Sequence, residues 1–266
     1  MVGSHLVDYI LKETNWNVYG LLRWSSKLDN IEHHLDIINK KKRLFLVYGD
    51  LTDHISIRSA LEKSNPDYVF HLAAETFPKM SFDSPLKFYD TNIKGTQILL
   101  EEIKNLKKIN PIIHICSSSE VFGRVDKKKL PIDENCSFHP ASPYAISKVG
   151  TDLVGRYFYE AFGLKTLVTR MFTHTGPRRG DYFAESSFAK QIAMIENQII
   201  PPKIKVGNLN SLRTIADVRD AVHAYYLLVT KNPISGETYN IGGEYSCKVG
   251  DILNYLISIS NYKKKN

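Results

Sequence analysis

The sequence predicts an α/β fold, a doubly wound parallel sheet with a smaller C-terminal lobe, on three observations. Short apolar runs recur without polar alternation, helical stretches lie between them, and the connections are brief. Strands covered on both faces read as near-continuous apolar runs. Strand and helix alternation with short links is what right-handed crossovers onto one parallel sheet require. At 266 residues the chain has room for one large domain or two unequal ones, at about 100 to 200 residues per domain.

Helical spacing begins with the first residues and continues to Leu11, ahead of a short buried strand over 17–22. Further strands are predicted at 43–48, 68–72, 112–116 and 166–170, with helices over 55–64, 85–107 and 142–162 between them. After about residue 171 the rhythm changes to loops carrying Gly and Pro, helices over 186–198, 218–229 and 249–259, and a strand over 238–241. The expected division is 1–170 for the sheet domain and 171–266 for a substrate lobe interleaved with it. In open α/β sheets ligands bind beyond the carboxyl ends of the strands, so the cleft between the two is the expected site.

Composition narrows the function classes. Hydrophobic residues make up 43% and charged residues 24%, as in ordinary globular proteins and unlike disordered chains. No apolar run approaches the roughly 20 residues of a membrane span, and no basic start with a continuous apolar core reads as a leader. Cys116, Cys136 and Cys247 lack C-x-x-C spacing, so neither a disulfide framework nor a zinc site is expected, and a reducing cytoplasm fits best. His5, His33 and His34 have no ligand companions at useful spacing, so no metal is expected. The net charge of +7 sits partly in basic runs at 40–43, 127–129 and 263–265, which read as solvated loops or tails. Aromatics are not interleaved with these runs, which disfavours nucleic acid. An anionic small-molecule ligand uses the charge equally well.

The strongest chemical signal is Tyr144-Ala145-Ile146-Ser147-Lys148, near the start of a predicted helix. Residues four apart share a helical face, so phenol and ammonium project together, and a nearby cation lowers a phenol's pKa toward usefulness as an acid or base. Upstream, directly after an apolar strand, stands Ser117-Ser118-Ser119-Glu120, whose hydroxyls and carboxylate fall at the ligand crevice. Arg23, Ser25 and Ser26 follow the second-strand candidate, where an NAD-selective site places an acid; a guanidinium with neighbouring hydroxyls suits the 2′-phosphate of NADP instead.

In these motifs the chain resembles the extended short-chain dehydrogenase/reductase superfamily, the nucleotide-sugar epimerases, dehydratases and reductases. The resemblance also rests on Gly3, Asp50 to Asp53, His71 to Ala74, Asn92-x-x-Gly95-Thr96, Arg213 and Asp217 to Asp220. The segment Thr173-His174-Thr175-Gly176-Pro177-Arg178-Arg179-Gly180-Asp181 is most similar to GDP-mannose 4,6-dehydratases, although Thr173 stands where that family has asparagine. The resemblance implies a Rossmann-like domain whose first strand and first two fingerprint glycines are missing, so that two sheet edges and much apolar surface are exposed, and a chain that also ends early. It implies Tyr144 and Lys148 as the catalytic pair, Ser118 on the sugar O4 and Glu120 as the acid/base of a dehydratase. Gly3, Arg23, Ser25, Ser26, Asp50, Leu51, Leu72, Ala73, Ala74 and His174 are the implied cofactor contacts, with NADP favoured over NAD. Arg178, Arg179, Lys190 and Arg213 are candidates for the diphosphate of a GDP-sugar. A homodimer or homotetramer is implied through the helices over 85–107 and 142–162. A reductase or 4-epimerase on the same fold, and a non-catalytic remnant lacking the phosphate loop, remain as alternatives.

Overall fold

Apolar runs and capping residues fix the element order over residues 1–261, which the computed structural model describes. The strands are β1 (Val18–Leu22), β2 (Leu44–Tyr48), β3 (Tyr68–His71), β4 (Ile112–Cys116), β5 (Thr166–Met171), β6 (His174–Thr175), β7 (Leu212–Asp217), β8 (Thr238–Ile241) and β9 (Tyr245–Lys248). The helices are α1 (Val2–Glu13), α2 (Leu35–Asn39), α3 (His54–Ser64), α4 (Pro78–Asp83), α5 (Pro85–Phe88), α6 (Gly95–Asn105), α7 (Pro143–Phe162), α8 (Ala184–Glu196), α9 (Val218–Thr230) and α10 (Val249–Ile259). The basic run at 263–265 lies outside the described residues.

Strands β3, β4, β5 and β8 form one parallel sheet in the order β3-β4-β5-β8. Its central strand β5 is buried along its whole length, as a two-faced strand must be. β8 joins this sheet beside β5, although β6 and β7 lie between them in the chain. β1 and β2 pair parallel as a separate two-stranded sheet. Between β1 and β3 lies a cavity of about 750 Å³. The expected pair of sheet edges is present, lined partly by α1 and α3, with Tyr19 and Leu21 of β1 still exposed. A third sheet, β6-β7-β9, carries the lobe.

Helix α7 shows how sequence sets an element. Ser142 caps it by accepting from the Ala145 amide at 3.1 Å, Pro143 opens its first turn, and Gly163 closes it in the left-handed region at φ +68°. Gly155 lets the helix lie close on the sheet: a Cβ there would stand 2.7 Å from Ile115 Cδ1. The main core gathers Ile98, Leu100, Ile103, Ile113, Ile115, Phe158 and Val168 from α6, α7, β4 and β5.

The predicted single helix over 85–107 is corrected. It is α5 and α6 joined by a π-helical turn, Tyr89–Lys94, whose widened ring places Asn92 inward. Elements with few apolar residues, α4, β7 and β9, lacked a periodic signal and were not anticipated.

Candidate active site

The carboxyl ends of β1 to β4 lead into the loops that carry the sequence-predicted residues. Arg23 follows β1, Asp50 follows β2, Leu72 to Ala74 follow β3, and Ser117 and Ser118 follow β4. This is the edge at which open parallel sheets bind ligands.

At β4 the chain turns through a short 3-10 segment, Ser119–Phe122, with Ser118 as its cap accepting from the Glu120 amide at 3.2 Å. That turn leaves Glu120 exposed and Ser118 buried. Tyr144 projects from the first turn of α7, 8% exposed, against the edge of the Phe88 ring. Burial pushes the Tyr144 phenol well above its ordinary value; a hydrogen bond with Ser118 acts in the opposite direction, the Glu120 charge raises it further, and Arg179 lowers it. Ser118, Glu120 and Arg179 thus each bear on the Tyr144 phenol.

Lys148 behaves differently from the sequence expectation. Its ammonium donates to the Cys116 carbonyl at 2.8 Å, at the end of β4, and burial lowers its pKa. It does not figure among the groups that shift Tyr144. The expectation that Lys148 depresses the phenol is corrected for the protein alone: both groups lie on α7 beside β4, but burial governs the phenol. Ser117 reinforces the arrangement by donating to the Lys148 carbonyl at 3.0 Å.

Sequence reasoning missed the role of Asn92. From the π-helical turn its side chain accepts from the Glu75 amide at 2.8 Å, donates to the Glu75 carbonyl at 3.0 Å, and donates to Ser147 Oγ at 2.8 Å. It ties the loop after β3 to the helix that carries Tyr144 and Lys148. Thr96 and Thr151 both donate to the Asn92 carbonyl, and His71 meets Thr96 at 2.8 Å. Burial lowers the His71 pKa to about 3, so it stays neutral. The Asn92-x-x-Gly95-Thr96 motif was the available signal, without a role assigned to the asparagine.

The remaining predicted residues separate into groups. Arg23 reaches Glu75 Oε1 at 3.4 Å; Asp50 is held below the usual carboxylate range chiefly by hydrogen bonds from the Thr52 amide and hydroxyl, with the Arg23 charge adding to them. No acid was visible next to Arg23 in sequence; the fold brings Glu75. Ser25 is exposed and Ser26 closes a turn onto the Arg23 carbonyl. Leu51 is a core residue against α6, whereas Ala73 is exposed. Gly3 faces open space at the start of α1. His174 contacts the Phe172 carbonyl at 3.1 Å, and burial lowers its pKa.

Arg178 and Arg179 lie at the amino end of α1, where both lower the pKa of the Met1 amine after burial itself. Arg178 holds Asp8 at 2.6 Å, and Arg179 donates to the His174 carbonyl and lies over the Phe183 ring. Arg178 Nη1 and Arg179 Nε are buried with no acceptor among the described residues. Lys190 and Arg213 are not brought to this place: Lys190 pairs with Asp181 on the surface, and Arg213 is exposed on β7 and donates to the Leu212 carbonyl. The expectation that His33 and His34 lack companions is also corrected, because both meet Asp8 Oδ1, at 2.8 and 2.7 Å. Burial alone raises the Asp8 carboxyl, but bonds from His33, Arg178 and His34 hold it below its usual value.

This order of residues along a split parallel sheet matches a known family over nearly its whole length: the model for GDP-mannose 4,6 dehydratase aligns with residues 1–265. The chain belongs to the GDP-mannose 4,6-dehydratase family. Members and neighbours of that family are similar to it at moderate identity. A GDP-mannose 4,6-dehydratase of Sordaria araneosa is 30% identical over 264 residues, 98% of this chain and 46% of that protein. The chain thus spans about half the length of that relative. A GDP-6-deoxy-D-mannose reductase of Pseudomonas aeruginosa is 32% identical over 260 residues, 97% of this chain and 77% of the relative. The structure of RMD from Pseudomonas aeruginosa complexed with NADPH superposes with a TM-score of 0.81 at 27% identity, covering 97% of this chain and 80% of that one. The α/β, Rossmann-like class predicted from sequence is shared with these proteins. No helix among the described residues is long and apolar enough to cross a membrane.

Proposed function

We propose that the chain is a nucleotide-sugar 4,6-dehydratase acting on GDP-mannose with NADP. The observation that carries this reading is Glu120, an exposed carboxylate at the end of β4 close enough to the buried Tyr144 phenol to raise its pKa. A redox-neutral elimination needs a second acid/base group beside the tyrosine; a reduction does not.

The residues present fit the sugar nucleotide and the cofactor. Arg178 Nη1 and Arg179 Nε, buried without a hydrogen-bond acceptor among the described residues although Arg179 Nε lies 3.6 Å from Glu185 Oε2, suit the diphosphate of the sugar nucleotide, which forked arginines bind bidentately. Arg23, Ser25 and Ser26 would hold a 2′-phosphate, Asp50 and Leu51 the adenosine side, and Leu72 to Ala74, Gly3 and His174 would lie along the rest. Glu75 can release Arg23 because it also pairs with Lys87 at 3.4 Å. The nicotinamide supplies a hydride acceptor at sugar C4 that later returns the hydride to C6. Tyr144 takes the proton from the 4-hydroxyl and delivers it to C5 when the hydride reaches C6; Ser118 holds O4; Glu120 removes the C5 proton and protonates the departing 6-hydroxyl, which leaves as water. Lys148 anchors α7 to β4 and supplies positive charge when the phenol ionises. Arg178 and Arg179 are the candidates for the sugar-nucleotide diphosphate, with Lys190 and Arg213 lying elsewhere. A homo-oligomer formed through α6 and α7 in the cytoplasm completes the reading; Ile146, Leu153 and Tyr157 on α7 are 45%, 49% and 49% exposed.

Glu120→Gln is expected to slow formation of the 4-keto-6-deoxy product by about 10² to 10⁴ while leaving NADPH affinity unchanged. Product formation at the parental rate would remove Glu120 from the chemistry. Arg23→Ala is expected to weaken NADPH about tenfold or more, the loss of one charged hydrogen bond, and to leave NADH unaffected. Fluorescence titration checks this, and equal losses for both cofactors would contradict the assignment.

A second reading, a GDP-4-keto-6-deoxymannose reductase, is favoured by the likeness to the Pseudomonas reductase. Stoichiometric NADPH consumption distinguishes it from a dehydratase.

A further inference from the structure

We infer that Asp8, His33 and His34 form a binding site for one transition-metal ion of the zinc class, which fastens the turn after β1 to α1. Asp8 lies on the second turn of α1, and His33 and His34 close the 3-10 segment Asp29–His34. His33 Nε2 and His34 Nε2 meet the same carboxylate oxygen, Asp8 Oδ1, at 2.8 and 2.7 Å. One ligand atom from each residue lies within 4.8 Å of the other two, and no other trio of His, Cys, Asp or Glu residues does so among the described residues. None of the three takes part in the reaction proposed above.

With three residues per turn, neighbours on a 3-10 helix ordinarily diverge by about 120°. Here the two imidazole centroids are 4.1 Å apart with planes 41° from parallel, and both rings aim the same nitrogen at one oxygen. The donors of a four-coordinate zinc ion stand about 3.3 Å from one another, because metal–ligand lengths are about 2.0 to 2.2 Å. The two contacts therefore need to open by about half an ångström to admit the ion. The His33 side chain, 45% exposed, has room for that movement, whereas His34, 13% exposed, is the more enclosed ligand. Water reaching the site past His33 completes the coordination.

Arg178 selects the class of ion. Its Nη2 donates to Asp8 Oδ2 at 2.6 Å, which orients the carboxylate and leaves Oδ1 to the imidazoles. The guanidinium also offsets the carboxylate charge, so little net negative charge remains to draw a hard cation. Calcium and magnesium take mainly oxygen ligands and depend on that charge. Zinc and its neighbours in the Irving–Williams series bind neutral imidazole nitrogen well. The ion takes the place of the protons shared between the two imidazoles and Oδ1, which pass to solvent. The segment Asp29–His34 has no fully buried residue and no side-chain cap, so the ion adds a fastening where packing supplies little.

The test uses the whole chain without a histidine tag, with Zn²⁺ and Co²⁺ as probes. Expected are one Zn²⁺ per chain in calorimetric titration, the visible absorption of tetrahedral Co²⁺ that Zn²⁺ abolishes, and slower amide exchange over 29–34 in the loaded protein. Asp8→Asn, His33→Gln and His34→Gln should each weaken binding by about 10- to 100-fold or more, since losing even an outer-shell partner costs that much. His139→Gln and Cys136→Ser, at ligating residue types outside the cluster, should leave it unchanged. Asp8→Asn also gives up the ion pair with Arg178, so each variant is read by the rise of its own unfolding midpoint when Zn²⁺ is added. That rise is expected in the parent and the two controls and is lost in the three site variants, whatever their starting stability. Absence of binding at millimolar Zn²⁺ overturns the proposal. So does Zn²⁺ binding that survives all three site substitutions, an octahedral Co²⁺ spectrum, or equal binding of Mg²⁺.

Discussion

Tyr144→Phe is expected to lower turnover by about 10² to 10⁴, the range for losing a positioned acid/base group, with little effect on the fold because the ring and its contact with Phe88 remain. The pH profile gives the sign. Burial holds the phenol above its ordinary value and Ser118 pulls it down, so a rate that needs the ionised phenol rises with pH toward the alkaline edge. Removing the Ser118 hydroxyl by Ser118→Ala leaves burial less opposed and should move that limb to still higher pH. In Tyr144→Phe the limb should disappear. A profile unchanged in both variants would place the proton transfer elsewhere.

The largest structural effect is expected at Asp152. Its carboxylate is fully buried on α7 and takes Arg170 of β5 at 2.8 Å and Arg156 at 2.9 Å, with Arg170 itself 3% exposed beneath the Phe138 ring. Asp152→Ala leaves the Arg170 guanidinium buried and uncompensated, a loss of about 3 to 5 kcal/mol. Because total stabilities are about 5 to 15 kcal/mol, urea unfolding should show a greatly lowered midpoint. The double variant Asp152→Leu with Arg170→Met should recover much of it, because apolar groups of similar volume avoid the desolvation cost. Equal midpoints for Asp152→Ala and the parent would show that this pair does not hold α7 on the sheet.

These two residues also mark what the sequence reveals. The strands β1 to β5 were legible because each is a short apolar run with turn residues at its ends, and α7 because Ser142, Pro143 and Gly163 bound a helical pattern. Ser118 and Glu120 were singled out by their place directly after the β4 run, and Tyr144 and Lys148 by their spacing of one helical turn. Asp152 and Arg170 were not, since a buried ion pair joins positions with no common period. Asn92 escaped for the same reason: its partners Glu75 and Ser147 lie far along the chain, and the π-helical turn that aims it inward has no spacing signature. The raised phenol could not be read either, because desolvation depends on what the fold places around Tyr144 and the rule for nearby cations predicts the opposite sign. Asp8 reaches His33 and His34 only through the packing of α1.

The most direct test of a redox-neutral elimination at Tyr144, Ser118 and Glu120 follows a deuterium placed at C4 of GDP-mannose, with NADP present in amounts far below the substrate. The account predicts a 4-keto-6-deoxy product that carries the label at C6, formed over many turnovers without accumulation of NADPH. Label recovered in the cofactor pool, or retention of unaltered GDP-mannose with all of its label, would contradict it.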